Sequence, residues 1–329
     1  MKKIFMYNLL NMEKPFVKHF AAQHPDVTFA GTPDKLTSKN VGLAKGADGI
    51  SIHFNSPEKS LYSSLHKFGV KIIGVRQTGY NEVDLDAAKK NHLVVTNVPG
   101  YSPRSVAEMA LTHVMYLLRH IGDIRQREAK GDFLWAGDEA REIHNLTVGV
   151  IGTGKIGGTS AKIYKALGAK VLGSDPYPNP QLKSTLTYVP LKTLLQTADV
   201  IVLHTPLLKS TRHMIGAKEF KLMKNSVIFV NVSRGAVVDT NALIDALKDH
   251  EIAAAGLDTI EDEGNTFNRD NKGTIPNQYI KQLINMPNVL ITPHVAYDTD
   301  NSVKNMVEIS LNDIYDVING KSVKDQLNK

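Results

Sequence analysis

The chain has no cysteine. That absence excludes a disulfide framework, a thiolate metal site and a cysteine nucleophile together. Nor does any stretch approach the roughly 18–20 apolar residues that a membrane span requires, so an integral membrane protein is not expected. Strong charge of one sign is also lacking: 39 Lys and Arg against 33 Asp and Glu leave +6. The densest basic patches, Lys2-Lys3 and Lys89-Lys90, are dipeptides rather than the clustered stripe a nucleic-acid binder uses, so no nucleic-acid partner is expected. The opening MKKIFMYNLLNMEK is broken by Tyr7, Asn8 and Asn11 and has no small-residue cleavage site, which is not how a signal peptide reads. The expected compartment is the cytoplasm.

What is present is an ordinary globular balance, 42% hydrophobic and 22% charged residues, over 329 positions, a length that suggests two domains. Short Val- and Ile-rich runs alternate with longer amphipathic stretches, as in a parallel sheet with crossover helices. Strands are expected at Lys3–Met6, Gly49–His53, Val70–Val75, Leu93–Thr96, Thr147–Ile151, Lys170–Gly173, Val200–His204, Val227–Asn231, Ala253–Leu257 and Val289–Thr292. Helical spacing marks Asn241–Lys248, Val303–Ile318 and a long segment, Ser105–Arg127, with Ser105 and Glu108 placed for a capping box. Pro99, Gly100 and Pro103 punctuate the chain just before that segment and suggest a boundary near residue 100. His113 and His120 lie seven apart on this helix; without further ligands they read as structural, and no metal site is expected.

The strongest local signal is TVGVIGTGKIG at 147–157. Gly152, Gly154 and Gly157 form G-x-G-x-x-G between a buried strand and a helix, the arrangement that brings a pyrophosphate against a helix N-terminus. Asp175, 18 residues after Gly157, closes the next strand, where a carboxylate accepts hydrogen bonds from the adenosine ribose and repels a 2′-phosphate. NAD rather than NADP is the expected cofactor.

Three polar residues follow three other strands: Arg234 in NVSRG, Glu263 in GLDTIEDE and His294 in ITPH. In an open parallel sheet such carboxyl-terminal ends line one crevice. Reduction of a ketone leaves an alkoxide that needs a proton, and an imidazole is suited to give it. A carboxylate beside the ring favours its charged form, and an arginine clamps a substrate carboxylate bidentately. Together they describe a 2-keto acid reduced to a 2-hydroxy acid.

VGVIGTGKIG, DPYP, LHTP at 203–206, VNVSRGAVVDT at 230–240, GLDTIEDE at 256–263 and NVLITPHVAY at 288–297 together resemble the D-2-hydroxyacid dehydrogenases, most closely the bacterial D-lactate dehydrogenases. VPGYSP at 98–103 and NMV at 305–307 extend the resemblance to nearly the whole chain. It implies an α/β protein of two Rossmann-like domains, flavodoxin-like and dinucleotide-binding, with parallel sheets separated by a cleft. Residues 1–100 and 299–329 would bind substrate, and 101–298 would bind NAD. His294 would be the proton donor, Glu263 its partner and Arg234 the contact to the substrate carboxylate and carbonyl. Cofactor contacts would be Gly152, Gly154, Lys155, Ile156, Gly157, Asp175, Thr205, Pro206, Thr211, Val232, Ser233 and Asp258. Substrate contacts would be Arg76 and the loop Gln77-Thr78-Gly79, with His53, Tyr101, Tyr297 and Met306 facing the substrate side chain. The long helix would supply a homodimer interface.

The sequence departs from the family pattern in four places. Lys155 stands where histidine is common, Gln77-Thr78 where Asn-Val is usual, His53 where tyrosine is usual, and Gly100 for a Val or Ala. Less bulk at position 53 would widen the pocket. Pyruvate is the leading substrate, with 2-ketoisocaproate and phenylpyruvate as the alternative, because a methylene contact changes preference by only about 1–3 kcal/mol. A non-catalytic NAD(H)-sensing module is the reading from a different class.

Overall fold

In the computed structural model, which describes residues 1–55, 57–80, 82–135, 137 and 139–329, the chain divides into two units. Met1–Ser102 with Asp298–Lys329 form one, and Pro103–Tyr297 the other. Each is built on a wholly parallel sheet, so the α/β class expected from the alternating pattern is the class observed.

The first unit contains β1 Lys2–Met6, β2 Val27–Gly31, β3 Gly49–Ile52, β4 Ile72–Val75 and β5 Val94–Thr96, in the spatial order β2-β1-β3-β4-β5. β3 and β4 are buried along their whole length. A strand covered on both faces has no polar alternation, which is why such runs read clearly in the sequence. The helix Asp300–Ile318 returns to this sheet. Its fit depends on two glycines: a Cβ on Gly49 would lie 2.5 Å from Ile314 Cγ2, and one on Gly74 2.8 Å from Ile314 Cδ1. The last residues lie along β5, where Leu327 N donates to Val95 O at 2.9 Å.

The second unit contains β6 Thr147–Ile151, β7 Lys170–Ser174, β8 Thr187–Tyr188, β9 Val200–Leu203, β10 Ile228–Asn231, β11 Ala254–Leu257 and β12 Val289–Ile291. Their order is β12-β11-β10-β9-β6-β7-β8, so the winding reverses between β6 and β9. That reversal opens a crevice beyond the carboxyl ends of those two strands.

All ten expected strands are present, and two more join them at sheet edges. β2 is exposed over much of its length and β8 has only two residues, so neither carries the apolar run that marks an interior strand. The long helix expected over Ser105–Arg127 is two helices, Pro103–Leu118 and Ile121–Glu128. His120 between them adopts φ 53°, a left-handed conformation that cannot continue a helix. The first of these helices begins at Pro103, whose fixed φ suits the first turn, so Ser105 lies inside it. Glu108 pairs with Arg104 at 2.6 Å instead of completing the expected capping box.

Candidate active site

The glycine turn sits at the switch between β6 and β9. Gly152 has φ +84°, a conformation other residues adopt only with strain. A Cβ on Gly157 would lie 1.9 Å from Gly152 O, so the helix Lys155–Ala166 can approach the strand only because that atom is missing. Gly154 is different: a Cβ there would meet nothing within 4 Å, and its φ of −64° suits any residue. The first two glycine rationales concern folding; the third leaves open space above a helix N-terminus, where a pyrophosphate would be received. Lys155 and Ile156 open that helix, Lys155 exposed and Ile156 half-buried.

Asp175 ends the neighbouring strand and accepts from Thr153 N at 2.7 Å and Tyr177 N at 2.8 Å. These bonds fix its carboxylate beside the turn; Oδ2 also accepts from Thr153 Oγ1 at 3.2 Å, and Oδ1 keeps a further lone pair for a ribose hydroxyl. Thr205 follows β9. Its Oγ1 is buried without a partner among the described residues, and its Cγ2 would lie 3.0 Å from a Cβ on Gly152. A buried hydroxyl left unsatisfied beside a phosphate-binding turn fits a dinucleotide. The preceding His204 has its ring enclosed, although the residue as a whole is half-buried. Burial pushes this imidazole down to about 3, so it is neutral, and its Nε2 meets Ser160 Oγ at 2.8 Å. That bond ties the helix after the glycine turn to β9. Pro206 is exposed, and Thr211 Oγ1 donates to Pro206 O at 2.6 Å, which closes the loop between them.

The catalytic candidates are carried by three further strand ends. After β10, Asn231 shapes the turn: its Oδ1 accepts from Ser233 N at 3.0 Å and its Nδ2 donates to Arg234 O at 3.0 Å. Val232 is buried within this turn. The turn holds Arg234 half-buried, its Nη1 donating to Ser233 O at 2.8 Å. After β11, Glu263 begins a short 3-10 turn preceded by Asp262 at φ 55°; after β12, His294 has φ 56°. Both members of the pair are therefore delivered by left-handed backbone, a conformation that persists only where its surroundings impose it. His294 Nδ1 is in hydrogen-bond contact with Glu263 Oε1, and Ile260 N donates to Glu263 Oε2 at 2.7 Å. The two side chains are 29% and 21% exposed, open enough to be reached and covered enough to act strongly on each other.

Asp258, expected to meet the cofactor, is instead completely buried and turned inward. Its carboxylate accepts from Thr292 Oγ1 at 2.5 Å, Val295 N at 3.0 Å and Ala296 N at 3.0 Å, and its main-chain oxygen from His294 N at 2.9 Å. It is the scaffold of the loop that presents His294. His113 Nε2 meets Thr292 Oγ1 at 3.0 Å from the helix Pro103–Leu118, extending that scaffold. Asn231 and Thr292 stood inside the motifs NVSRG and ITPH, but only their bonds show what they do.

In the first unit, Arg76 was expected to contact substrate. It is 0% exposed, and its guanidinium is committed to Glu13 Oε1 at 2.9 Å, Ser51 Oγ at 2.9 Å and the carbonyls of Tyr7 and Asn8. A buried charge so fully satisfied braces its own unit. His53 is also buried, and its imidazole is held well below the usual range by burial and by the charges of Arg76 and Lys35. Gln77 N donates to Val75 O, and the Gln77 side chain ties Phe54 N to Gly79 O, so Gln77 shapes the loop. The N–H groups of Thr78 and Gly79 have no main-chain acceptor among the described residues. Tyr101 is half-buried, its carbonyl accepting from Asn305 Nδ2 at 2.6 Å; Met306 is buried; Tyr297, at the end of the second unit, is half-buried.

Residues 111–296 match the D-isomer specific 2-hydroxyacid dehydrogenase NAD-binding domain family. A D-2-hydroxyacid dehydrogenase (NAD(+)) of Clostridioides difficile is 40% identical over 99% of this chain and 100% of its own length. A D-lactate dehydrogenase of Lactiplantibacillus plantarum is 42% identical over 94% of each. The D-isomer specific 2-hydroxyacid dehydrogenase of Lactobacillus delbrueckii ssp. bulgaricus, solved as an NAD-complexed form, superposes with a TM-score of 0.90 at 44% identity, covering 99% of this chain and 100% of that one. The chain belongs to the D-isomer specific 2-hydroxyacid dehydrogenases. It is an NAD-dependent oxidoreductase, and the glycine turn, Asp175 and the orphaned Thr205 hydroxyl are the features that fit its cofactor.

Proposed function

We propose that this enzyme reduces pyruvate to D-lactate with NADH, and that its contact between His294 and Glu263 is the acid that completes the reaction. That contact is the observation carrying the reading. When bound, NADH supplies hydride to the carbonyl carbon. His294, held through Nδ1, gives the proton on Nε2 to the carbonyl oxygen as the alkoxide forms, and Glu263 stabilises the imidazolium before transfer. Arg234 pairs with the substrate carboxylate and polarises the adjacent carbonyl. From the first unit, the N–H groups of Thr78 and Gly79 are the proposed further carboxylate contacts, with His53, Tyr101 and Met306 toward the substrate methyl, joined by Tyr297. Cofactor contacts are proposed at Gly152, Gly154, Lys155, Ile156, Gly157, Asp175, Thr205, Pro206, Thr211, Val232 and Ser233.

The similarity to the D-lactate dehydrogenase of L. plantarum favours pyruvate as substrate. We also propose a cytoplasmic homodimer. The dimer is supported by the exposed apolar side chains of Phe133, Leu134 and Trp135, between 74% and 84% accessible, which a partner chain would cover.

The test is NADH oxidation with pyruvate, 2-ketoisocaproate and phenylpyruvate, with chiral analysis of the product. Pyruvate should give the highest kcat/KM and D-lactate the only enantiomer. His294→Gln should lower kcat by about 10²–10⁴, the usual worth of a positioned general acid. In Glu263→Gln the alkaline limb of the rate should move to lower pH, because the imidazolium loses its counter-charge. Undiminished turnover in His294→Gln would sink this assignment.

A further inference from the structure

Both oxygens of Glu263 are engaged, one by His294 and the other by the main-chain N–H of Ile260. The orientation of the carboxylate therefore depends on where the main chain of Ile260 lies, and the adjoining Ile260–Glu261 peptide holds that residue from its carboxyl side. That peptide is confined from one side by Gly235, the residue after Arg234. A Cβ there would fall 2.2 Å from Ile260 C and 2.4 Å from Glu261 N, so the two strand ends meet backbone to backbone. On the other side it is anchored by the Glu261 side chain, which is 10% exposed.

Glu261 joins several separate segments. Its Oε1 accepts from His213 Nε2 at 2.7 Å and lies 3.5 Å from Arg212 Nη2; its Oε2 accepts from Thr240 Oγ1 at 3.1 Å and Thr240 N at 3.3 Å. Its main-chain oxygen accepts from Asn277 Nδ2 at 2.7 Å. A mostly buried carboxylate is costly unless it is fully paired, and here a hydroxyl, a main-chain N–H, an imidazole and a guanidinium supply the donors. The outcome is a second imidazole–carboxylate pair, two residues along the chain from Glu263.

We propose that Glu261 is a positioning residue for proton transfer: it pins the Ile260–Glu261 peptide and through it the main chain of Ile260, whose N–H orients Glu263 against His294. The proposal rests on the His294–Glu263 reading above. Glu261 touches no reacting atom, and its effect passes through Glu263.

The experiment compares pH profiles of kcat and of kcat/KM for the wild type, Glu261→Gln, Glu263→Gln and the double variant, with melting temperatures for each. In Glu261→Gln, kcat should fall about tenfold or more with the KM for pyruvate nearly unchanged, the scale on which small misplacements of reacting groups act. Its alkaline limb should move to lower pH, as in Glu263→Gln. In the Glu263→Gln background the same change should produce no further movement of the limb. A Glu261→Gln enzyme that melts lower but keeps the wild-type kcat and limb overturns the proposal, as does an equal shift in both backgrounds. If Glu261→Gln fails to fold, His213→Gln loosens the same anchor from its exposed side, with the same criteria. If Glu263→Gln itself leaves the limb in place, it is the underlying acid–base reading that fails.

Discussion

At the scale of single residues, the glycine motif combines two different requirements. Gly157 is needed by the fold: a methyl group there would collide with Gly152 O at 1.9 Å. Gly154 faces open space in an ordinary backbone conformation, so only a ligand gives it a reason to lack a side chain. Gly157→Ala should lower stability by about 1–3 kcal/mol, as overpacking does, and weaken NADH binding with it. Gly154→Ala should melt like the wild type yet bind NADH at least about tenfold more weakly, a loss of roughly 1.4 kcal/mol. Thermal melts paired with fluorescence titration of NADH would separate the two. Equal melting temperatures for both variants would contradict the steric distinction.

At the scale of elements, the helix Asp300–Ile318 carries a buried charge that the periodicity of its sequence conceals. Asp313 is 8% exposed on a helix that otherwise buries Val307, Leu311 and Ile314. Burial and the negative charges of Asp325 and Asp316 raise its carboxyl to about 6. An unfolded chain ionises this group above about 3.9. Folding therefore takes up a proton between those values, and the stability it offers falls as pH rises through that window, with the full penalty above 6. Asp313→Asn should stabilise the protein by roughly 1–3 kcal/mol at pH 8 and by nothing at pH 4. Urea denaturation at the two pH values checks this; an equal change at both would point to packing rather than charge.

The interior strands were legible because two-sided burial writes itself as a continuous apolar run, as in Ile72–Val75 and Val200–Leu203. β2 and β8 were not, since an edge strand leaves part of its surface to water. The helix break at His120 was equally hidden, because the apolar spacing continues across it while the backbone does not.

At the scale of the whole molecule, three imidazoles are kept neutral by burial: His53, His113 and His204. Burial is the leading cause for all three; Arg76 and Lys35 depress His53 further, while Asp258 opposes the shift at His113. Their folded values lie below the unfolded value of about 6.5. The stability they permit is present above that pH and is lost as pH falls, because the unfolded chain takes up protons the folded one refuses. For His204, pushed down to about 3, the cost is about 1.4 kcal/mol per pH unit below 6.5, and the other two act in the same direction. Scanning calorimetry should show the melting temperature falling steadily from pH 6.5 to pH 5, less steeply in His204→Gln. A flat profile over that range would mean that these rings admit protons without unfolding.

By itself the sequence determined the alternation of strand and helix, the glycine turn and the acidic residue that follows it, because each is written in a few neighbouring positions whose burial and backbone conformation are set locally. It also placed Arg234, Glu263 and His294 at strand ends. Tertiary structure alone decided their partners. Asp258 turned inward to hold the loop of His294, and Arg76 closed on Glu13, 63 positions away. Glu261 gathered donors from Arg212, His213 and Thr240. The physical reason is common to all three. A carboxylate or guanidinium removed from water must be paired wherever packing brings a partner within reach, and that partner is chosen by the approach of distant segments, which no local pattern records.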